Sequence, residues 1–193
     1  MKTILYLIVL MCFTFSVLTS CHSTNKYDEI VSTIMEMGRY KTKLPVSEMM
    51  CWKNDSFGNY SDSIDNSKLK LVVYADTTNC FLCFLNHMNI WNDFLPLEKK
   101  YNGAIRFVFI IEARHNESRL LYNMLGSIGL NHPIYIDEKL AFRKSNPHIP
   151  RESIYHTFVL DENNNILLVG DPLRNEEIEK LLYELIEVKC SRS

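Results

Sequence analysis

The run Leu69-Lys70-Leu71-Val72-Val73-Tyr74-Ala75 is nearly continuous in apolar and β-branched residues, and Cys80-Phe81-Leu82-Cys83 follows it closely. Such a run reads as a strand covered on both faces, as in a parallel sheet, rather than one with a wet side. Asp76-Thr77-Thr78-Asn79 reads as loop and cap, because Thr77, Thr78 and Asn79 can each accept from the first orphan amides of a helix. The pattern therefore predicts a helix that begins at or just before Cys80. Leu82, Leu85, Met88, Trp91 and Leu95 give it an apolar face out to about Tyr101, and Pro96 should kink or end it locally. A thiol in the first turn of a helix faces unpaired N–H groups and the positive end of the dipole, which stabilises its thiolate. A second thiol three residues on lies one turn away, within reach of a disulfide.

The remaining periodicity supplies the partners this strand needs. Tyr27 to Met37 carries Ile30, Val31, Ile34 and Met35 at helical spacing, preceded by a polar tether, His22 to Asn25. From Gly38 to Ser67 the periodicity fails and Asn, Asp, Gly and Ser dominate; short strand pairing around Leu44 to Cys51 is the exception. Ala104 to Ala113 is a second buried strand, Glu117 to Ile128 a helix stopped by Gly129, Pro133 to Ile136 a short strand, and Glu138 to Ser145 a short helix. Tyr155 to Leu160 and Ile166 to Val169 flank Asp161-Glu162-Asn163-Asn164-Asn165 as a hairpin, and Asn175 to Val188 closes the chain as a helix. Parallel strands joined by crossovers and then a hairpin predict an α/β fold: a mixed central sheet with helices on both faces, a three-layer sandwich.

The first 20 residues point to export. Lys2 is the only charge before a mostly apolar run, Ile4 to Leu18, too short for the roughly 20 residues that span a bilayer. Leu18-Thr19-Ser20-Cys21 resembles a bacterial lipobox, whose cysteine is diacylated on sulfur and becomes the first residue of the mature chain. The expected organisation is a lipoprotein signal peptide over 1–20, a lipid-anchored tether and N-terminal extension over 21–67, and one domain over 68–193. The expected place is the bacterial cell envelope, with lipid on Cys21 holding a membrane and the domain facing the periplasm or exterior.

Lys and Arg number 21 against 23 Asp and Glu, with both signs scattered, which leaves no basic footprint for nucleic acid. Of the six cysteines, Cys12 is expected to leave with the signal and Cys21 to carry lipid. Cys51 and Cys190 could pair with each other, stay free, or serve the Cys80-Cys83 pair. No metal is expected: zinc needs four ligands, and Cys80, Cys83 and His87 supply only three. Haem attachment is not expected either, because Phe84 rather than His follows Cys83.

From Lys68 to Val188 the chain resembles the thioredoxin-like fold, and within it the exported thioredoxin-like lipoproteins related to the cytochrome-maturation and peroxiredoxin-like branch. The resemblance rests on strand-Cys80-x-x-Cys83-helix, on the extra strand and helix around Pro133 to Ser145, and on Thr157-Phe158-Val159-Leu160-Asp161 with its Asn-rich turn and Ile166-Leu167-Leu168-Val169-Gly170. It implies Cys80 as the attacking thiol and Cys83 as the resolving one, with their redox-active disulfide in place of any cofactor. The chain departs from the family pattern at Asn79, where a tryptophan is usual, and at Met88, where the helix carries a proline. Tyr74 stands where an acidic residue assists proton transfer in many thioredoxins, with Asp76 a nearby carboxylate that need not point inward, and His156 occupies the cis-proline slot before Thr157. A non-proline cis bond costs about 3 kcal/mol, so His156 is expected in trans. Its imidazolium could lower the pKa of Cys80 or exchange its proton; the plainer reading is a polar residue filling a proline slot.

The leading expectation is a membrane-anchored extracytoplasmic thiol-disulfide oxidoreductase. It would act on a protein disulfide or thiol substrate and be reset by a separate redox partner. The alternative is a non-catalytic binding or assembly lipoprotein that keeps the fold and a structural disulfide. Peroxide reduction by Cys80 is a third possibility. The dipeptide Phe81-Leu82 leaves oxidant and reductant equally open.

Overall fold

A computed structural model describes residues 21–58, 64–76, 84, 85, 87–113 and 118–191, apart from the side chains at 21–25, 65 and 118–120. Cys80 and Cys83 lie outside the described residues. Two compact units divide the chain near Glu36. The first holds all but the last residue of helix α1, Cys21–Met37, which takes in the segment expected as a polar tether. Tyr27 and Met35 on it are exposed.

The second unit is built on a seven-stranded sheet in the order β2-β1-β5-β4-β3-β6-β7. Its strands are β1 Met50–Lys53, β2 Ser56–Gly58, β3 Leu69–Ala75, β4 Ile105–Glu112, β5 Ile134–Asp137, β6 Thr157–Asp161 and β7 Ile166–Val169. β3 runs parallel to β4 with Val72 opposite Val108, and β4 runs parallel to β5 with Ile111 opposite Ile136. β6 lies antiparallel on the other side of β3, Val72 facing Phe158, and β7 and the β1–β2 hairpin extend the two edges. Every residue of β3 is buried, Lys70 included, as its nearly continuous apolar run requires of a central strand.

The helices are α2 Pro96–Lys100, α3 Ser118–Leu125, α4 Ala141–Ser145 and α5 Glu176–Cys190. Leu69, Leu71 and Val73, which share one face of β3, pack in a core with Phe107 and Phe109 of β4, Leu97 of α2, Leu121 of α3, and Leu182 and Ile186 of α5. Tyr74 points to the other face, where its ring meets that of Phe142 on α4 at 4.7 Å. Helices therefore lie on both faces of a mixed sheet. α5 is capped by Asn175, whose side chain accepts from the amides of Glu177 and Ile178 at 2.9 and 3.2 Å.

The long helix expected out to Tyr101 is interrupted. Phe84 and Leu85 are helical, Met88–Asp93 tightens to a 3-10 helix, and the α-helix restarts with Pro96 in its first turn. Proline lacks an N–H and cannot continue a helix, but it suits a first turn whose donors have no partner anyway. The strand pairing expected around Leu44 to Cys51 lies later in the chain, as the β1–β2 hairpin over Met50–Gly58, with β2 in a stretch expected as loop, and it turns on Asn54 and Asp55, both at positive φ. The short helix begins at Ala141 rather than Glu138, because the Asp137 carboxylate caps it. Its two oxygens each accept from an amide, Ala141 and Phe142, at 2.8 Å.

Candidate functional site

In a parallel sheet, loops that carry chemistry gather at the carboxyl ends of the strands. Here those ends are acidic: Asp76 directly follows β3, Glu112 ends β4 and Asp137 ends β5. Asp76, Glu112 and Asp137 are all buried. A buried carboxylate needs a partner, and Arg143 of α4 serves two of them. Its Nη2 donates to Asp76 Oδ2 at 2.9 Å, and its Nε lies 3.5 Å from Glu112 Oε2, an ionic contact too long for a good hydrogen bond. Tyr74 also donates its hydroxyl to the Glu112 carboxylate. The Arg143 guanidinium sits 5.7 Å from the centre of the Tyr74 ring. Burial, and then the Glu112 carboxylate, push the Tyr74 hydroxyl far above the usual phenol range, so Tyr74 remains a neutral donor.

His156 closes the cluster from the start of β6. It is 3% exposed, and its ring lies 4.9 Å from that of Tyr74. Nε2 is 2.9 Å from the Pro150 carbonyl oxygen. A carbonyl only accepts, so Nε2 carries the proton and Nδ1 bears the lone pair. Nδ1 is buried with no hydrogen-bond partner among the described residues. Burial depresses the His156 pKa, although Asp76 and Glu112 pull it the other way, and the imidazole is neutral at neutral pH. No cis peptide bond occurs among the described residues, so His156 is in trans as expected.

The sequence places Cys80 and Cys83 between Asp76, which follows β3, and helical Phe84. Phe84 is half-buried, and Leu85 belongs to the core. Cys21 opens α1, and its side chain is outside the described residues. Cys51 is buried in β1, where its Sγ lies 3.9 Å from the Trp52 carbonyl oxygen. Cys190 is a free thiol, so a Cys51–Cys190 disulfide is not formed. Burial raises the Cys190 pKa, which makes it a poor nucleophile. His87 is exposed, and no cluster of metal-ligating side chains is present among the described residues. No helix among the described residues is long and apolar enough to cross a membrane.

Asp76 entered the sequence reading as part of a loop and cap and as a carboxylate near the slot that Tyr74 fills, whereas Glu112 and Arg143 were missed altogether. One signal was available for Glu112. An acidic residue directly after Phe107-Val108-Phe109-Ile110-Ile111 ends a strand buried on both faces, where a charge needs a partner. No comparable signal marks Arg143, because its partners are 67 and 31 positions away in the chain (143 − 76 and 143 − 112).

No protein-family model matches the chain, and no curated protein matches it in sequence. Solved structures are similar in fold. A putative protein disulfide isomerase from Bacteroides thetaiotaomicron superposes with a TM-score of 0.50 at 18% identity, over 78% of this chain and 92% of that one. An uncharacterized thioredoxin-like protein from Porphyromonas gingivalis gives 0.46 at 12% identity, over 79% and 96%. The mixed sheet with its flanking helices is thus a thioredoxin-like α/β fold.

Proposed function

We propose that this chain is a thiol-disulfide oxidoreductase of the bacterial cell envelope, held at a membrane by lipid on Cys21. The observation that carries the reading is positional: Cys80-x-x-Cys83 follows the carboxyl end of β3, the buried central strand of a thioredoxin-like sheet, and precedes helical Phe84. The Cys80 thiolate attacks one sulfur of a substrate disulfide, forming a mixed disulfide and releasing the other sulfur as a thiol. Cys83 then attacks Cys80, closing the Cys80–Cys83 disulfide and freeing the substrate as a dithiol. A second redox partner returns two electrons and two protons to reset the pair. The similarity in fold to a putative protein disulfide isomerase supports the same class of chemistry.

Replacing Cys83 with Ala removes the resolving thiol and should trap substrates on Cys80 as mixed disulfides that vanish on reduction. A variant that captures nothing in cells would count heavily against the reading and in favour of a binding or assembly module. A reduction potential below about −300 mV would likewise mark the pair as a structural bridge. For the anchor, a palmitate analogue should label the native chain and not Cys21→Ser; equal labelling of both removes the lipid from Cys21.

A further inference from the structure

We propose that α1 lies along the membrane surface beside the lipid on Cys21, with Tyr27, Val31 and Met35 set into the boundary between headgroups and acyl chains. The inference rests on the lipid-anchor reading and adds a second contact between the chain and the bilayer.

The helix has two faces. At about 100° per residue, Ile30, Ile34, Tyr27, Val31 and Met35 fall within an arc of about 140°. Asp28, Glu29, Ser32 and Glu36 lie opposite and are exposed. A surface helix of a globular protein turns such an apolar stripe toward its core. On α1 the stripe is open: Tyr27 is 69% exposed, Met35 65% and Val31 37%, while Ile30 and Ile34 are half-buried. Large apolar side chains left in water together on one face mark a surface for a membrane or a protein.

Place in the chain decides between these. α1 opens at Cys21, and at about 1.5 Å per residue Tyr27 stands about 9 Å and Met35 about 21 Å along the axis from it. Acyl chains on Cys21 hold that end of the helix at the bilayer. A helix lying flat covers all three exposed side chains, whereas an upright one leaves Met35 in water. The tether makes the second contact intramolecular, so a stripe too small to bind a membrane by itself is enough. Tyr27 suits the boundary, where an apolar ring and a polar tip are both satisfied. Lys26 is the one lysine or arginine of α1, against Asp28, Glu29 and Glu36, so apolar burial rather than headgroup charge supplies the attraction. A second copy of the chain fits less well. From Tyr27 to Met35 the stripe spans little more than one heptad, and a coiled coil needs about three.

The test uses the full chain as cells process it, with a photoreactive benzoylphenylalanine in place of Tyr27, Val31 or Met35 on the stripe, or of Glu29 or Ser32 on the opposite face. All five positions are exposed, so the fold tolerates the change. Irradiation should join the three stripe positions to phospholipid, read by mass spectrometry as the mass of one phospholipid on the peptide, and the adduct should be lost at the two polar positions. Yields that decay steadily from Tyr27 to Met35 without regard to face mean an upright helix and overturn the proposal. Adducts to a second copy or to another protein overturn it too, as does the absence of lipid adducts. In each of those outcomes a chain that still takes a palmitate analogue at Cys21 keeps its anchor, and the anchor reading stands. A chain that takes none sinks the anchor reading and this proposal with it.

Discussion

His156 donates through Nε2 to the carbonyl oxygen of Pro150 across 2.9 Å, while its own carbonyl accepts from the Tyr74 amide at the same distance. Its amide donates in turn to the Ser153 carbonyl at 3.1 Å. The residue in the slot before Thr157 is thus fixed through backbone and ring alike. Its imidazole is held neutral by burial, so it brings no positive charge to the cluster at neutral pH.

A buried neutral histidine makes stability depend on pH. The folded pKa of His156 lies below its ordinary value, so around pH 6 the unfolded chain binds more protons than the folded one. Its contribution is fully present above about pH 6.5 and is lost as pH falls toward the folded value. His156→Gln keeps a donor for Pro150 and cannot titrate. It should cost about 1 kcal/mol at pH 7.5. Urea midpoints should then converge as the pH is lowered to 5, because only the native chain loses this term. His148, whose pKa burial also lowers, is common to both chains and cancels. A gap of constant size across that range refutes the prediction.

The central strands were legible in the sequence, because a strand covered on both faces must be mostly apolar, and Leu69–Ala75 and Ile105–Glu112 are, apart from Lys70, Arg106 and Glu112. The edge hairpin was legible only as short pairing around Leu44 to Cys51, which overlaps β1 at Met50 and Cys51. Met50, Ser56 and Phe57 are exposed, and Asn54-Asp55 lacks the glycine that usually announces such a turn. At the site, a local motif pointed to Cys80 and Cys83. The Asp76–Arg143–Glu112 cluster is assembled by the sheet from three elements far apart in the chain, and no local window holds it.

The Asn54-Asp55 turn makes a second prediction. Both residues are left-handed, φ 51° and 57°, as the tight turn matching the twist of a two-residue hairpin demands. A side chain at that φ costs about 1 kcal/mol, more than the extra freedom glycine brings to the unfolded chain. Asp55→Gly should therefore raise stability by several tenths of a kcal/mol, up to about 1 kcal/mol, read as a higher urea midpoint at unchanged slope. A lower midpoint would mean that the Asp55 side chain stabilises the turn by more than its backbone strain costs.

Asp161 makes the third, at the other end of the sheet. Its Oδ1 accepts from the amides of Asn163 and Asn165, and its Oδ2 from the Asn165 side chain, each at 2.8 Å. Burial alone would raise its pKa, but these donors and Lys189 outweigh it and hold the carboxyl below its usual range. The sign is opposite to that at His156. A depressed carboxyl stabilises the fold above the unfolded value of about 3.9 and loses that contribution as pH falls through the folded one. Asp161→Ala strands two partly buried amide donors at the β6–β7 turn and should cost about 1–3 kcal/mol at pH 7. The difference from the native chain should shrink by pH 2, where the carboxyl is increasingly protonated. Equal differences at pH 7 and pH 2 would assign the whole effect to the shape of the side chain and none to its charge.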